Sequence, residues 1–166
     1  QNNQLTGTIP TELGKLTKMT DDFGLSSNKL RGTIPTELGM LTKLRNDFQL
    51  QGNQLTGTIP AVLGELTLLT HLDLGDNSLS GTIPAALGNL SQLTDLALSN
   101  NSLTGSIPAD LGNLTELTML DLSSNKLTGG IPGELGGIME CRSDICGGAM
   151  NDCCDHGGSY EPRSCL

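Results

Sequence analysis

The tetrapeptide Gly-x-Ile-Pro recurs along this chain at a nearly fixed interval, and it constrains the fold more than any other feature. Its prolines stand at 10, 35, 60, 84, 108 and 132, so the intervals are 25, 25, 24, 24 and 24 residues. A unit of that length cannot bury its own apolar face, so successive units must stack and cover one another. One full unit carries Leu66, Leu69, Leu72, Leu74, Asn77, Leu79, Gly81, Ile83, Pro84, Leu87 and Gly88. The next carries Leu90, Leu93, Leu96, Leu98, Asn101, Leu103, Gly105, Ile107, Pro108, Leu111 and Gly112, and a third runs through Leu120, Leu122 and Asn125. Aromatic residues make up only 2% of the chain. The packing must therefore come from Leu, Ile, Val and Met, which suits many thin similar layers.

Each part of the unit has a physical reading. In Leu72-x-Leu74 and Leu96-x-Leu98 the side chains alternate inward and outward, which predicts a short half-buried strand. Equivalent strands of successive coils then pair into a parallel sheet. Asn28, Asn53, Asn77, Asn101 and Asn125 recur at one site, where an inward amide can satisfy turn backbone groups of its own and the adjacent coil. The Gly-x-Ile-Pro glycine permits a tight bend. Proline fixes φ and stops helix from starting earlier. The Pro-x-x-Leu-Gly segment is too short for a long helix and predicts a 3-10 or single helical turn.

This pattern resembles the plant-type extracellular leucine-rich-repeat family, whose unit reads L-x-x-L-x-x-L-x-L-x-x-N-x-L-(T/S)-G-x-I-P-x-x-L-G-x. The match covers about Asn3 to Gly137, roughly four-fifths of the chain. The resemblance implies an α/β solenoid: a right-handed superhelix with a parallel inner sheet, short 3-10 or helical turns outside and a Cys-rich C-terminal cap. It also implies a non-enzymatic surface similar to receptor ectodomains or polygalacturonase inhibitors. Two units depart from the pattern, carrying Phe23-x-Leu25 and Phe48-x-Leu50 with one extra residue before the strand. That residue is expected to bulge. This style resembles algal, especially diatom, members of the family.

The solenoid is expected over residues 1–137, beginning in mid-repeat, so that either more chain precedes it or the open end packs on a partner. Residues 138–166 form a separate tail holding all five cysteines: Cys141, Cys146, Cys153, Cys154 and Cys165. Disulfides in a Gly-rich tail imply an oxidising compartment, hence a secreted or cell-surface protein. Five is odd, so one thiol is free or pairs elsewhere, and spacing alone does not give the connectivity. Asn89-Leu90-Ser91, Asn100-Asn101-Ser102 and Asn113-Leu114-Thr115 are glycosylation sequons, although the repeat is itself rich in Asn, Ser and Thr.

The net charge of −9 excludes a nucleic-acid binder that depends on a basic stripe. An anionic membrane surface is disfavoured for the same reason, and no run approaches the roughly 20 apolar residues of a membrane span. Six of the nine basic residues lie at or before Arg45, and none lies between Asn46 and Asn125. The middle of the molecule is therefore acidic. Catalysis at His71 would need a nucleophile beside it, and none is distinctive there. Zinc at the tail cysteines and His156 lacks the usual paired Cys-x2-Cys spacing. Asp73-x-Gly75-Asp76-Asn77 resembles a calcium loop but has no distal Glu, and Asn77 is the repeat's structural residue. No cofactor and no metal is expected.

The inner face is the best site candidate. Outward residues of successive strands predict three columns: Asp22, Asp47, His71, Asp95, Met119; then Gly24, Gln49, Asp73, Ala97, Asp121; then Ser26, Gln51, Gly75, Ser99, Ser123. The candidate binding residues are Asp22, Asp47, His71, Asp73, Asp95, Asp121, Gln49 and Ser99. They suit a basic protein or peptide steered by charge. The plain alternative is a solvated sheet face, since Trp, Tyr and Arg anchors are lacking. Two rivals stand beside recognition. One is a wall, matrix or filament component assembling through the solenoid ends. The other is ice binding: Thr6-Gly7-Thr8, Thr56-Gly57-Thr58 and their equivalents predict hydroxyl files about 4.8 Å apart, interrupted by Arg31.

Overall fold

The computed structural model describes residues 1–135. The five cysteines, His156 and the boundary at residue 137 lie outside the described residues. In chain order the strands are β1 (Thr6–Gly7), β2 (Phe23–Gly24), β3 (Lys29–Gly32), β4 (Asp47–Gln49), β5 (Gln54–Thr58), β6 (His71–Asp73), β7 (Ser78–Gly81), β8 (Asp95–Ala97), β9 (Ser102–Gly105), β10 (Met119–Asp121) and β11 (Lys126–Leu127). Turns of 3-10 helix occupy Thr11–Lys15, Thr36–Met40, Ala61–Glu65, Ala85–Asn89, Ala109–Asn113 and Gly133–Leu135. The chain is a leucine-rich-repeat solenoid in which every pairing between strands is parallel.

Two sheets run through the described residues. The Leu-x-Leu strands form a five-stranded sheet in the order β10-β8-β6-β4-β2. Its register is the one the sequence predicts: Leu72 lies opposite Phe48 and Leu96, and Asp47, His71 and Asp95 lie opposite one another. The second sheet, β1-β3-β5-β7-β9-β11, forms where the sequence suggested only a tight bend. Here the ladder pairs Thr58 with Ser80, although the repeat-equivalent of Thr58 is Thr82. The pairing slips by two residues per coil because 22 residues separate ladder partners while the repeat is 24. Equivalent hydroxyls are therefore not direct neighbours, which corrects the expected files. The ladder instead sets Lys29 beside Thr6, Gln54 beside Arg31 and Lys126 beside Thr104.

The core is a stack of leucines, one set per coil. Leu63, Leu66, Leu69, Leu72, Leu74 and Leu79 are buried, and their counterparts Leu87, Leu90, Leu93, Leu96, Leu98 and Leu103 lie directly on them. Phe23 and Phe48 replace the first strand leucine in the early coils and stack with ring centroids 5.0 Å apart. The extra residue of those coils is absorbed before the strand. Thr70 N–H reaches both Arg45 O (2.9 Å) and Asn46 O (3.3 Å), whereas in the regular coils Thr94 and Asp95 both donate to Thr70 O alone. Two residues thus oppose one, as in a bulge.

Coil-to-coil contact rests on side chains that only this repeat supplies. Asn77 Oδ1 accepts from Leu55 N–H (3.0 Å), and its Nδ2 lies within bonding distance of the carbonyls of Leu50, Leu74 and Gly75. Asn53, Asn101 and Asn125 repeat the arrangement, so carbonyls and N–H groups inside the turns are satisfied. Each proline from Pro10 to Pro108 sits just before its 3-10 turn at φ between −65° and −67°. Gly88 lies against the next coil so closely that a Cβ would stand 2.2 Å from Asp110 O. Gly81, at φ +77°, leaves room for the Thr58 methyl, which would be 2.8 Å from a Cβ there.

Candidate functional site

The outward face of the Leu-x-Leu sheet gathers the predicted residues into contact. Strand backbones fix their spacing, and alternate positions point away from the core. In the first column His71 Nδ1 lies 3.2 Å from Asp47 Oδ1, and Nε2 lies 3.1 Å from Asp95 Oδ2. One imidazole thus bridges carboxylates from the coils before and after it. These are the only side-chain ion pairs among the described residues. Gln49 Nε2 donates to Asp47 Oδ2 (3.1 Å), tying the second column to the first. Asp22 is exposed just before β2, at the margin of the cluster.

The second column holds Asp73 and Asp121, separated by the small Ala97 of β8. Asp73 Oδ1 accepts from Gly75 N–H (3.0 Å), and Asp121 Oδ1 accepts from the Ser123 N–H (3.0 Å) and hydroxyl (2.7 Å). The two carboxyls titrate in opposite directions. Burial pushes Asp73 above the ordinary carboxylate value; the Gly75 N–H opposes this, and the charges of Asp76 and Asp121 add to it. Burial also raises Asp121, but the Ser123 hydroxyl, Ser99 hydroxyl and Ser123 N–H together outweigh it, so this carboxyl sits below the ordinary value. Ser99 therefore serves the site by holding Asp121. Gln51 Oε1, in the third column, is buried without a hydrogen-bond partner among the described residues.

Sequence reasoning missed a threonine ladder beside the first column. Thr70 and Thr94 precede His71 and Asp95, and Thr118 precedes Met119. Their hydroxyls donate to the coil before: Thr70 to Asn46 O, Thr94 to Thr70 O and Thr118 to Thr94 O. Thr70 Oγ1 also lies 2.8 Å from His71 Nδ1, and Thr94 Oγ1 lies 2.6 Å from Asp95 Oδ2. The recurrence of Thr at one repeat position was the available signal.

The chemistry of this face is that of fixed anions. Both nitrogens of His71, and the hydroxyls of Thr70 and Thr94, are engaged in contacts between coils. Among the described residues no group of three His, Cys, Asp or Glu side chains is arranged to hold a metal ion. The segment resembling a calcium loop is spent on structure: Asp73 caps Gly75, and Asn77 satisfies turn carbonyls. Asn89 and Asn113 close their 3-10 turns and are exposed, whereas Asn100 is exposed between β8 and β9 at φ 52°. No described helix is long and apolar enough to cross a membrane.

The fold is shared with known proteins. The family model described as leucine rich repeat matches residues 42–103 and 67–127. The ectodomain of the Arabidopsis thaliana receptor kinase GASSHO1/SCHENGEN3, solved in complex with CASPARIAN STRIP INTEGRITY FACTOR 2, is 40% identical with a TM-score of 0.73. That match covers 83% of this chain and 19% of the receptor chain. The Arabidopsis receptor kinase HAESA ectodomain, solved with a peptide hormone ligand, is 38% identical over 83% of this chain and 23% of its own, with a TM-score of 0.78. A plant ice-binding protein is 37% identical over 80% of this chain and 43% of its own, with a TM-score of 0.74. This chain thus spans about a fifth of the length of the two receptor chains. A search of curated proteins finds no match.

Proposed function

This chain belongs to the plant-type extracellular leucine-rich-repeat family, and from that premise we propose that it is a non-enzymatic extracellular recognition module. Its ligand is a basic protein or peptide laid across the acidic face of the Leu-x-Leu sheet, the solenoid's concave side. The observation that carries this reading is the Asp47–His71–Asp95 bridge beside the Asp73 and Asp121 carboxyls. Five ionisable side chains are held on rigid strands, and no Lys or Arg lies between Asn46 and Asn125, the stretch that holds all five. Such a face attracts a cationic partner and repels an acidic one. The related HAESA receptor, solved with a peptide hormone and also with a co-receptor, supports a protein or peptide as the partner.

The test is charge reversal. Asp95→Lys combined with Asp121→Lys should weaken partner binding at least tenfold, about 1.4 kcal/mol, with the loss shrinking as salt is raised. Unchanged affinity in the double variant would remove this face from consideration.

A second reading is favoured by the similarity to a plant ice-binding protein and by the exposed hydroxyls of Thr8, Thr33, Thr58 and Thr82. In the neighbouring file the ladder partners of Thr6, Arg31 and Thr104 are Lys29, Gln54 and Lys126, so no unbroken hydroxyl row forms there. A thermal-hysteresis measurement with no activity at high protein concentration eliminates it.

A further inference from the structure

One repeat position faces solvent in each of five successive coils and is used by no side-chain contact given above. It follows the glycine of Pro-x-x-Leu-Gly and carries Lys15, Met40, Glu65, Asn89 and Asn113 in turn. All five are exposed, Met40 to 55%. The backbone on either side is fixed. Gly88 and Gly112 press on the next coil, and Leu90 and Leu114 are buried in the core. The position therefore projects a side chain outward from a rigid base and accepts long, chemically unlike groups. In two successive coils the occupant is Asn, followed by Leu90-Ser91 and Leu114-Thr115, which completes a glycosylation acceptor sequence. Neither amide is used within the fold: only the backbone carbonyls of Asn89 and Asn113 accept bonds, from Ser91 and Thr115. The contrast is with Asn77 and Asn101, whose amides are saturated by turn carbonyls.

We propose that Asn89 and Asn113 are a pair of N-glycosylation sites on the row of 3-10 turns, a strip of surface separate from the Leu-x-Leu sheet. The proposal rests on the extracellular reading, since the donor, a lipid-diphosphate-linked oligosaccharide, belongs to the secretory route. The amide Nδ2 forms a bond to the anomeric carbon of the first sugar. The bond from that carbon to the diphosphate oxygen breaks, the lipid diphosphate leaves with the electron pair, and Nδ2 loses one proton. Glycans at these sites leave the acidic face open and stand on the same row of turns as Val62, which is exposed in the coil before Asn89. A glycan on Asn100 would overhang the recognition face, and the assignment is confined to the pair.

The sequence makes the test clean. Between Asn46 and Asn125 no Lys or Arg offers a tryptic cut, but cleavage before aspartate isolates the three sequons on peptides 76–94, 95–109 and 110–120. The full chain is recovered separately from extracellular and intracellular fractions of its source cells and cleaved before aspartate. It is then treated with a glycan-releasing amidase in heavy-oxygen water, which marks each formerly glycosylated Asn. The expected result is a mark at Asn89 and Asn113 on extracellular protein, with Asn89→Gln and Asn113→Gln each removing one step of apparent mass and leaving partner binding unchanged. Extracellular protein lacking the mark at either site overturns the proposal while the extracellular reading stands. Protein found only inside the cells overturns both.

Discussion

At the residue scale the solenoid depends on a few polar groups with no substitute. Asn77 Oδ1 accepts from the Leu55 N–H, and its Nδ2 adds a donor to the carbonyls of Leu50, Leu74 and Gly75, which also accept from Asn53, Asn101 and the Gly52 N–H respectively. Asn77→Ala removes the acceptor of the Leu55 N–H and one donor from each of three carbonyls, and a buried unpaired group costs roughly 1–3 kcal/mol. We expect a loss of about 3 kcal/mol in urea unfolding; a loss below about 0.5 kcal/mol would contradict the role given to this amide. Two aspartates give a second prediction. The Asp73 carboxyl is raised by burial, so its contribution to stability is present while it is protonated and is lost as pH rises through its raised value. Asp73→Asn should melt above the wild type at neutral pH and converge with it in acid. Asp121 is lowered, so its contribution is present at neutral pH and is lost as pH falls through the lowered value. Asp121→Asn should melt below the wild type at neutral pH, the gap closing in acid. Melting curves across that range check both signs. The columns of Asp, His and Gln were legible in the sequence because strand alternation and a fixed period determine who faces whom. The hydroxyl contacts of Thr70 and Thr94 were not, since a Thr beside a strand carries no mark of what it bonds.

At the scale of the element the informative residue is glycine. A Cβ on Gly64 or Gly88 would stand 2.2 Å from a backbone oxygen of the following coil, where no side chain can move aside. Gly88→Ala must therefore shift one coil against the next, a packing strain of about 3 kcal/mol. Gly133→Ala, with nothing within 4 Å of its Cβ, should be nearly neutral. Equal thermal midpoints for the two variants would contradict the account of coil contact. The 3-10 turns and the Leu-x-Leu strands were readable from Pro-x-x-Leu-Gly and from the two-residue alternation. The second sheet was not. Its strands pair out of step with the repeat, Thr58 with Ser80, and a slipped register is a property of how the coils advance, which a one-dimensional period does not encode.

At the scale of the whole molecule, stability is close to a sum over coils and their contacts. A core substitution such as Leu96→Ala should cost roughly 2–5 kcal/mol, because Leu96 is packed between the equivalent Leu72 and Leu120. Function is set at the same scale by the separation of charge. Lys15, Lys18, Lys43 and Arg45 lie in the first coils, while the middle coils present carboxylates without a Lys or Arg among them. Family and architecture were legible from the repeat alone. The identity of the ligand was not, because the ligand-facing positions are the ones the repeat leaves free.

The most direct test places a photo-cross-linker at position 97, between Asp73 and Asp121, and a second at position 62 on a 3-10 turn, in protein returned to its own extracellular material. Recognition through the acidic face predicts that position 97 captures a distinct basic protein or peptide, that position 62 does not, and that Asp95→Lys with Asp121→Lys abolishes the capture. Cross-links from position 97 only to further copies of this chain, or equal capture from both positions, would contradict it.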